Sequence, residues 1–215
     1  MNHIALIGEI RDGEALPDRR GALQRLRGVF ERLNPWREPL GLAAPFTLTV
    51  GEEFQALFSH AHGLWHCVFA IESALRPVRL RYGLGAGAVE SEIDPAAAIG
   101  LDGPALTRAR KALAGLRDEG GSYRVLGLGA AEDLARHALD LVGHERDRWN
   151  ANRVDIFSLL LNGKSAAHMA RVLGISEQAV YKSIRQGKLE SVRGVCRAVG
   201  ALLDAELRAA AHPDH

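Results

Sequence analysis

Apolar and polar positions alternate in short runs through the first two thirds of the chain and then change period. His3 to Gly8 is an aliphatic run that ends at a carboxylate, Glu9, and reads as an opening strand. Gly13 and Pro17 interrupt it before a helical pattern from about Asp18 to Leu33. After the turn-rich stretch Asn34 to Gly41, Phe46–Val50 alternates, and Gly51-Glu52-Glu53 turns the chain into Phe54–Phe58, the signature of a hairpin. From His60 to Leu75, Leu64, Val68, Ile71 and Leu75 recur at helical spacing, and Pro77 precedes the strand pattern Val78–Ala86. Asp102-Gly103-Pro104 caps a helix to about Leu116, followed by strand Tyr123–Leu128 and helix Ala130–Val142.

From Arg148 the strand patterns stop. Everything to Ala211 reads as helix, with turns at Asn162-Gly163, Gly174 and Gly187, and the last four residues, His212 to His215, read as a frayed tail. The expected fold class is α+β: a ferredoxin-like or palm-type sheet-and-helix domain over residues 1–147, followed by an all-α helix-turn-helix domain over residues 148–215.

Charge sharpens that division. Residues 1–147 carry 17 Lys/Arg against 20 Asp/Glu, a balance of −3, and residues 148–215 carry 10 against 6, a balance of +4. The basic end is therefore the nucleic-acid candidate. No apolar run approaches a membrane span, and the N-terminus lacks the basic and small-residue features of a signal peptide, so a cytoplasmic protein is expected. Cys67 and Cys196 each sit in an apolar helical pattern and read as buried thiols.

Within 165–186, Ser165 caps a helix whose apolar face holds Met169, Ala170 and Leu173. Gly174 ends it by adopting the left-handed conformation, Ile175 plugs the corner, and Ser176 caps a second helix starting at Glu177. Ala179, Val180 and Ile184 form the inner face of that helix. Glu177, Gln178, Tyr181, Lys182 and Arg185 point outward, with Gln178 and Arg185 suited to base edges. Lys164, Arg171, Lys182, Lys188 and Arg193 suit phosphates. The partner expected from this pattern is double-stranded DNA, and the competing reading is a helical hairpin used only for packing or dimerisation. A final apolar stripe, Val192, Val195, Val199, Leu202, Leu203 and Leu207, points to a homodimer, with a cover for the first domain as the alternative.

Three further motifs lie in the first domain: Ile7-Gly8-Glu9-Ile10, Gly51-Glu52-Glu53-Phe54-Gln55, and Gly100-Leu101-Asp102-Gly103-Pro104 with Ala109-Arg110. If the first strand neighbours the hairpin, Glu9 and Glu52 come together as paired carboxylates of the kind that hold Mg²⁺ and nucleotide phosphates, with Arg110 balancing phosphate charge. At these residues the chain resembles the SatD family, bacterial proteins of about this length whose N-terminal half is similar to nucleotidyl cyclase and GGDEF-type palms. The resemblance implies a first metal-carboxylate strand at Glu9, a GDEF-like hairpin at Glu52 and Glu53, and a cyclase-like helix entered through Asp102 and carrying Arg110. Mg²⁺ or Mn²⁺ with a nucleotide would then be the implied ligands. Two departures weigh against catalysis. Glu replaces the family's usual Asp at both carboxylate positions, and Leu106 stands where cyclases place an Asn one turn before the arginine.

The leading expectation is a DNA-binding transcriptional regulator whose degenerate cyclase-like domain senses a ligand or mediates assembly, and which needs no cofactor. The alternative is a metal-dependent nucleotidyl cyclase or nucleotide-binding enzyme targeted to DNA, and solvated carboxylates at strand ends are the plain reading of Glu9 and Glu52. His62 and His66 have zinc-compatible spacing without an evident third ligand. Gly83, Gly85 and Gly87 alternate within a strand and predict close backbone packing. Trp36, Trp65 and Trp149 read as core anchors.

Overall fold

A computed structural model describes residues 2–209. The chain runs through β1 (Asn2–Ile10), α1 (Arg19–Leu33), a short helix α2 (Arg37–Leu40), β2 (Leu42–Leu48), β3 (Glu53–Phe58), α3 (Leu64–Leu75), β4 (Leu80–Ala88), α4 (Pro104–Glu119), β5 (Tyr123–Leu126) and α5 (Glu132–Asp147). Four further helices follow: α6 (Ala151–Leu161), α7 (Ala166–Leu173), α8 (Glu177–Gln186) and α9 (Leu189–Ala209). The sequence-predicted end of the last helix at Ala211 and the tail beyond it lie outside the described residues. The mixed α+β class holds.

The five strands form one sheet in the order β2-β3-β1-β4-β5. β1 is antiparallel to both β3 and β4, β2 is antiparallel to β3, and only β4–β5 is parallel. The first four strands follow the split βαβ arrangement of ferredoxin-like sheets, because each crossover leaves one strand between the two it joins.

Side chains alternate across β1 and bury both faces. Ile4, Leu6 and Ile10 join the core shared with α1 and α3, whereas Ala5 and Ile7 pack with Ala105, Leu106, Ala109 and Leu113 of α4. The alternating glycines of β4 let α4 lie directly on the strand. A Cβ at Gly85 would run into the Ala105 carbonyl oxygen and the Ala109 amide, and one at Gly83 into the Ala109 carbonyl. The close packing expected from that spacing is observed.

The larger core does not stop at residue 147. Phe157 of α6 packs edge-on against Phe69 of α3 with ring centroids 4.5 Å apart, and Trp149 lies 4.9 Å from Phe157. Val192, Val199 and Leu203 of α9 are buried in the same cluster, with Val195, Leu202 and Leu207 packed against it. The stripe that suggested a homodimer is therefore spent inside the chain. Beneath it, Glu72 and Arg146 form a buried ion pair, and the Tyr123 hydroxyl donates to Glu72 at 3.2 Å.

Two local readings change. The stretch Asn34 to Gly41 is not only turn, since it contains α2. Trp36 is 65% exposed and is not a core anchor, unlike the buried Trp65 and Trp149. Among the described residues no helix is long and apolar enough to cross a membrane.

Candidate functional site

The parity of the strands decides which carboxylates meet. Glu9 follows Ala5 and Ile7 onto the α4 face of β1, and in register it stands opposite Glu53 of β3 and Arg81 of β4. From the last turn of α4, Arg117 reaches into the same corner. Its Nε donates to Glu9 Oε2 at 2.8 Å, its Nη2 also bonds Glu9, and Nη2 lies 3.4 Å from Glu53 Oε2. Arg81 Nη1 donates to Glu9 Oε1 at 3.3 Å. The hydrogen bond to Glu9, with the charges of Glu9 and Glu53 behind it, holds the Arg117 guanidinium above its usual pKa against a desolvation cost.

The expected pairing of Glu9 with Glu52 is not formed. Glu52 precedes β3 with the parity of Phe54, which points into the opposite core, and its carboxylate is paired with Arg19 at the start of α1. The other two candidates are remote as well. Asp102 lies beyond the N-terminus of α4, where its carboxylate accepts from the Gly103 amide at 2.8 Å. Arg117 lies in the last turn of that 16-residue helix, whose length is about 24 Å. Arg110 is exposed between these ends, and Leu106 is fully buried.

Mg²⁺ demands near-octahedral oxygen ligation at about 2.0–2.1 Å. Here both Glu9 oxygens receive guanidinium N–H groups, and two arginines balance the two carboxylates that face each other. The residues as arranged do not fit a divalent cation with a nucleotide: arginines hold the place that a metal would need. Arg81 and Arg117 were missed from sequence. The parity of Arg81 with Gly83 and Gly85 was a usable signal for the first, whereas Arg117 depends on where α4 lies along the sheet.

The second candidate surface is on α7 and α8. Ser165 Oγ accepts from the His168 amide at 3.2 Å, and Ser176 Oγ from the Ala179 amide at 3.2 Å, so both helices start with a side-chain cap. Gly174 closes α7 with φ 64°, a conformation that favours glycine. Val180 is the one buried residue of α8, and Ala179 and Ile184 are half-buried beside it. Glu177, Gln178, Tyr181, Lys182 and Arg185 are all exposed, as are Lys164, Arg171 and Lys188. Among the described residues none of these eight side chains is held by an intramolecular hydrogen bond or ion pair. Arg193 differs: it is paired with Glu190 at 2.6 Å and faces a cleft beside His62 and His66. No group of three or more His, Cys, Asp or Glu side chains among the described residues is arranged to hold a metal.

Residues 3–189 match the model of the SatD family. No curated protein sequence matches the chain. Among solved structures, a bacterial light-regulated adenylyl cyclase is similar over 58% of this chain and 43% of its own, at 17% identity and a TM-score of 0.43. The guanylyl cyclase Cya2 is similar over 53% of this chain and 70% of its own, at 15% identity and a TM-score of 0.37. The matched region thus spans less than half of the adenylyl cyclase.

Proposed function

For a chain that belongs to the SatD family, we propose a DNA-binding regulator in which α7, the Gly174 turn and α8 act as a helix-turn-helix. The observation that carries this reading is the outer face of α8. Gln178, Tyr181, Lys182 and Arg185 stand exposed with no hydrogen-bond or ion-pair partner among the described residues, while the arginines of the sheet corner are engaged by carboxylates. Gln and Arg can each bond two atoms of one base edge in a major groove, and Lys164, Arg171, Lys182 and Lys188 supply phosphate contacts around them. Ser176 holds the α8 N-terminus in shape for that approach.

The α+β part serves this reading as a scaffold into which α6 and α9 are packed, with its carboxylate corner closed by Arg81 and Arg117. Each chain presents one α8, so a single chain reads one half-site. A dimer would need a contact other than the α9 stripe. Access to DNA puts the protein in the cytoplasm.

The test is selection of duplexes from a random library by the full chain, followed by gel shift of the enriched sequence. An enriched sequence bound by the wild type, and discriminated about 5- to 150-fold less well by Arg185→Ala, supports the reading. Failure to enrich any sequence, with equally weak retention of all duplexes, refutes it.

A further inference from the structure

Away from both surfaces, a cleft of about 570 Å³ opens between the start of α3 and the helices α6 and α9. Its volume lies in the range of small-molecule sites. Leu160 and Leu161 of α6 and Cys196 of α9 supply its apolar lining. On α9, Arg197, Gly200, Ala201 and Asp204 fall on one face at i, i+3, i+4 and i+7, so two small residues leave a notch between two charged ones.

Two buried nitrogens in the wall of this cleft lack a hydrogen-bond partner among the described residues. Trp65 is 5% exposed and lines the cleft, yet its indole Nε1 has no hydrogen-bond partner among the described residues. That nitrogen lies 4.0 Å from where a Cβ of Gly200 would stand, so it faces the notch. His66 Nδ1, in the same wall, is also buried and has no partner among the described residues. Buried polar atoms left unsatisfied are costly, and indole N–H can only donate. Arg197 is exposed at the rim and engaged in no ion pair among the described residues, whereas Arg193 is spent on Glu190 and Asp204 accepts from the Ala61 amide at 2.7 Å.

We propose that this cleft binds a small organic anion, with a carboxylate or phosphate head received by Arg197 and the Trp65 indole N–H and an apolar body resting on Leu160 and Leu161. Gly200 is what leaves room for it. The site does not depend on DNA binding, and its test reads the cleft directly.

The experiment uses the full chain carrying ¹⁵N-labelled tryptophan, with the three indole resonances assigned through Trp36→Phe and Trp65→Phe. Benzoate and phenyl phosphate are the probes for the two head groups, benzyl alcohol is the uncharged control, and inorganic phosphate is the control without an apolar body. The expected result is a saturable shift of the Trp65 indole resonance with benzoate or phenyl phosphate, at least about tenfold tighter than with either control. Arg197→Ala, at an exposed position, weakens that binding about tenfold or more, and Gly200→Leu abolishes it by filling the notch. No saturable shift from either probe overturns the proposal. So does equal binding of a control, or unchanged affinity in Arg197→Ala with the indole spectrum of a folded chain.

Discussion

Arg117 of α4 and Glu9 of β1 are 108 residues apart in sequence and joined by two hydrogen bonds, Nε to Oε2 at 2.8 Å and Nη2 to the same oxygen. This contact closes the corner where paired carboxylates would otherwise offer oxygens to a cation. It explains why strand-end carboxylates that look like a metal site in sequence serve to pin a helix to a sheet.

Removing Arg117 should reopen the corner. In Arg117→Ala, Glu53 loses its guanidinium partner and Glu9 keeps only Arg81. The variant is expected to lose about 1–3 kcal/mol at pH 7, the cost of taking a charge-assisted hydrogen bond from the buried Glu9. Mn²⁺ should raise the melting temperature of the variant by a few degrees and leave that of the wild type unchanged. The wild type should form no product from ATP or GTP with Mg²⁺ or Mn²⁺. Protection of the wild type by Mn²⁺, or product formation, would contradict the account of the corner.

The buried Glu72–Arg146 pair gives a prediction with a pH sign. Burial pushes the Glu72 carboxyl above its ordinary value of 4.5, opposed by Arg146 and by the Tyr123 hydroxyl. A raised folded pKa means that the folded state binds more protons than the unfolded one, so stability from this group is fully present below 4.5 and is lost as pH rises through the folded value. Arg146→Met removes the compensating charge and should cost about 3–5 kcal/mol at pH 7. Its urea midpoint should recover as the pH is lowered toward 4.5, and adding Glu72→Gln should remove that recovery. A loss independent of pH would contradict the assignment.

Gly85 tests the contact between α4 and the sheet. Because a Cβ there meets backbone atoms of Ala105 and Ala109, which cannot swing aside as a side chain can, Gly85→Ala should destabilise by about 1–3 kcal/mol in chemical denaturation. Gly28→Ala, where a Cβ meets nothing within 4 Å, should be neutral or slightly stabilising, as it is a half-buried helical position with open space beside it. Equal effects at the two sites would contradict the packing described.

What could be read from sequence was what local physics decides. The caps at Ser165 and Ser176 and the left-handed Gly174 depend on neighbours within four residues, and all three are found as expected. The spacing of Gly83, Gly85 and Gly87 carried its own meaning, since a strand with no side chains on one face can only serve close approach. The carboxylate pairing failed because it turned on register and parity. Glu52 and Glu53 are adjacent, and only the pairing of β1 with β3 decides that Glu53 shares a face with Glu9. Arg117, which no motif marks, takes the place expected of Arg110 for a related reason: seven residues along α4, about 10 Å, decide which arginine reaches the corner, and that offset is set by the sheet. The α9 stripe favoured a dimer seam over cover when read by itself, and burial of Val192, Val199 and Leu203 within the chain shows it acting as cover.

The central claim is that α8 reads base edges, and fluorescence anisotropy on a selected duplex and a scrambled duplex of equal length tests it most directly across a salt series. The account predicts that the wild type prefers the selected duplex by about 10³-fold or more. Arg185→Ala should lose about 1–3 kcal/mol on that duplex and almost nothing on the scrambled one. Lys182→Ala should weaken both alike and reduce the salt slope by about one. Equal affinity of the wild type for the two duplexes, with Arg185→Ala indistinguishable from it on both, would contradict the claim.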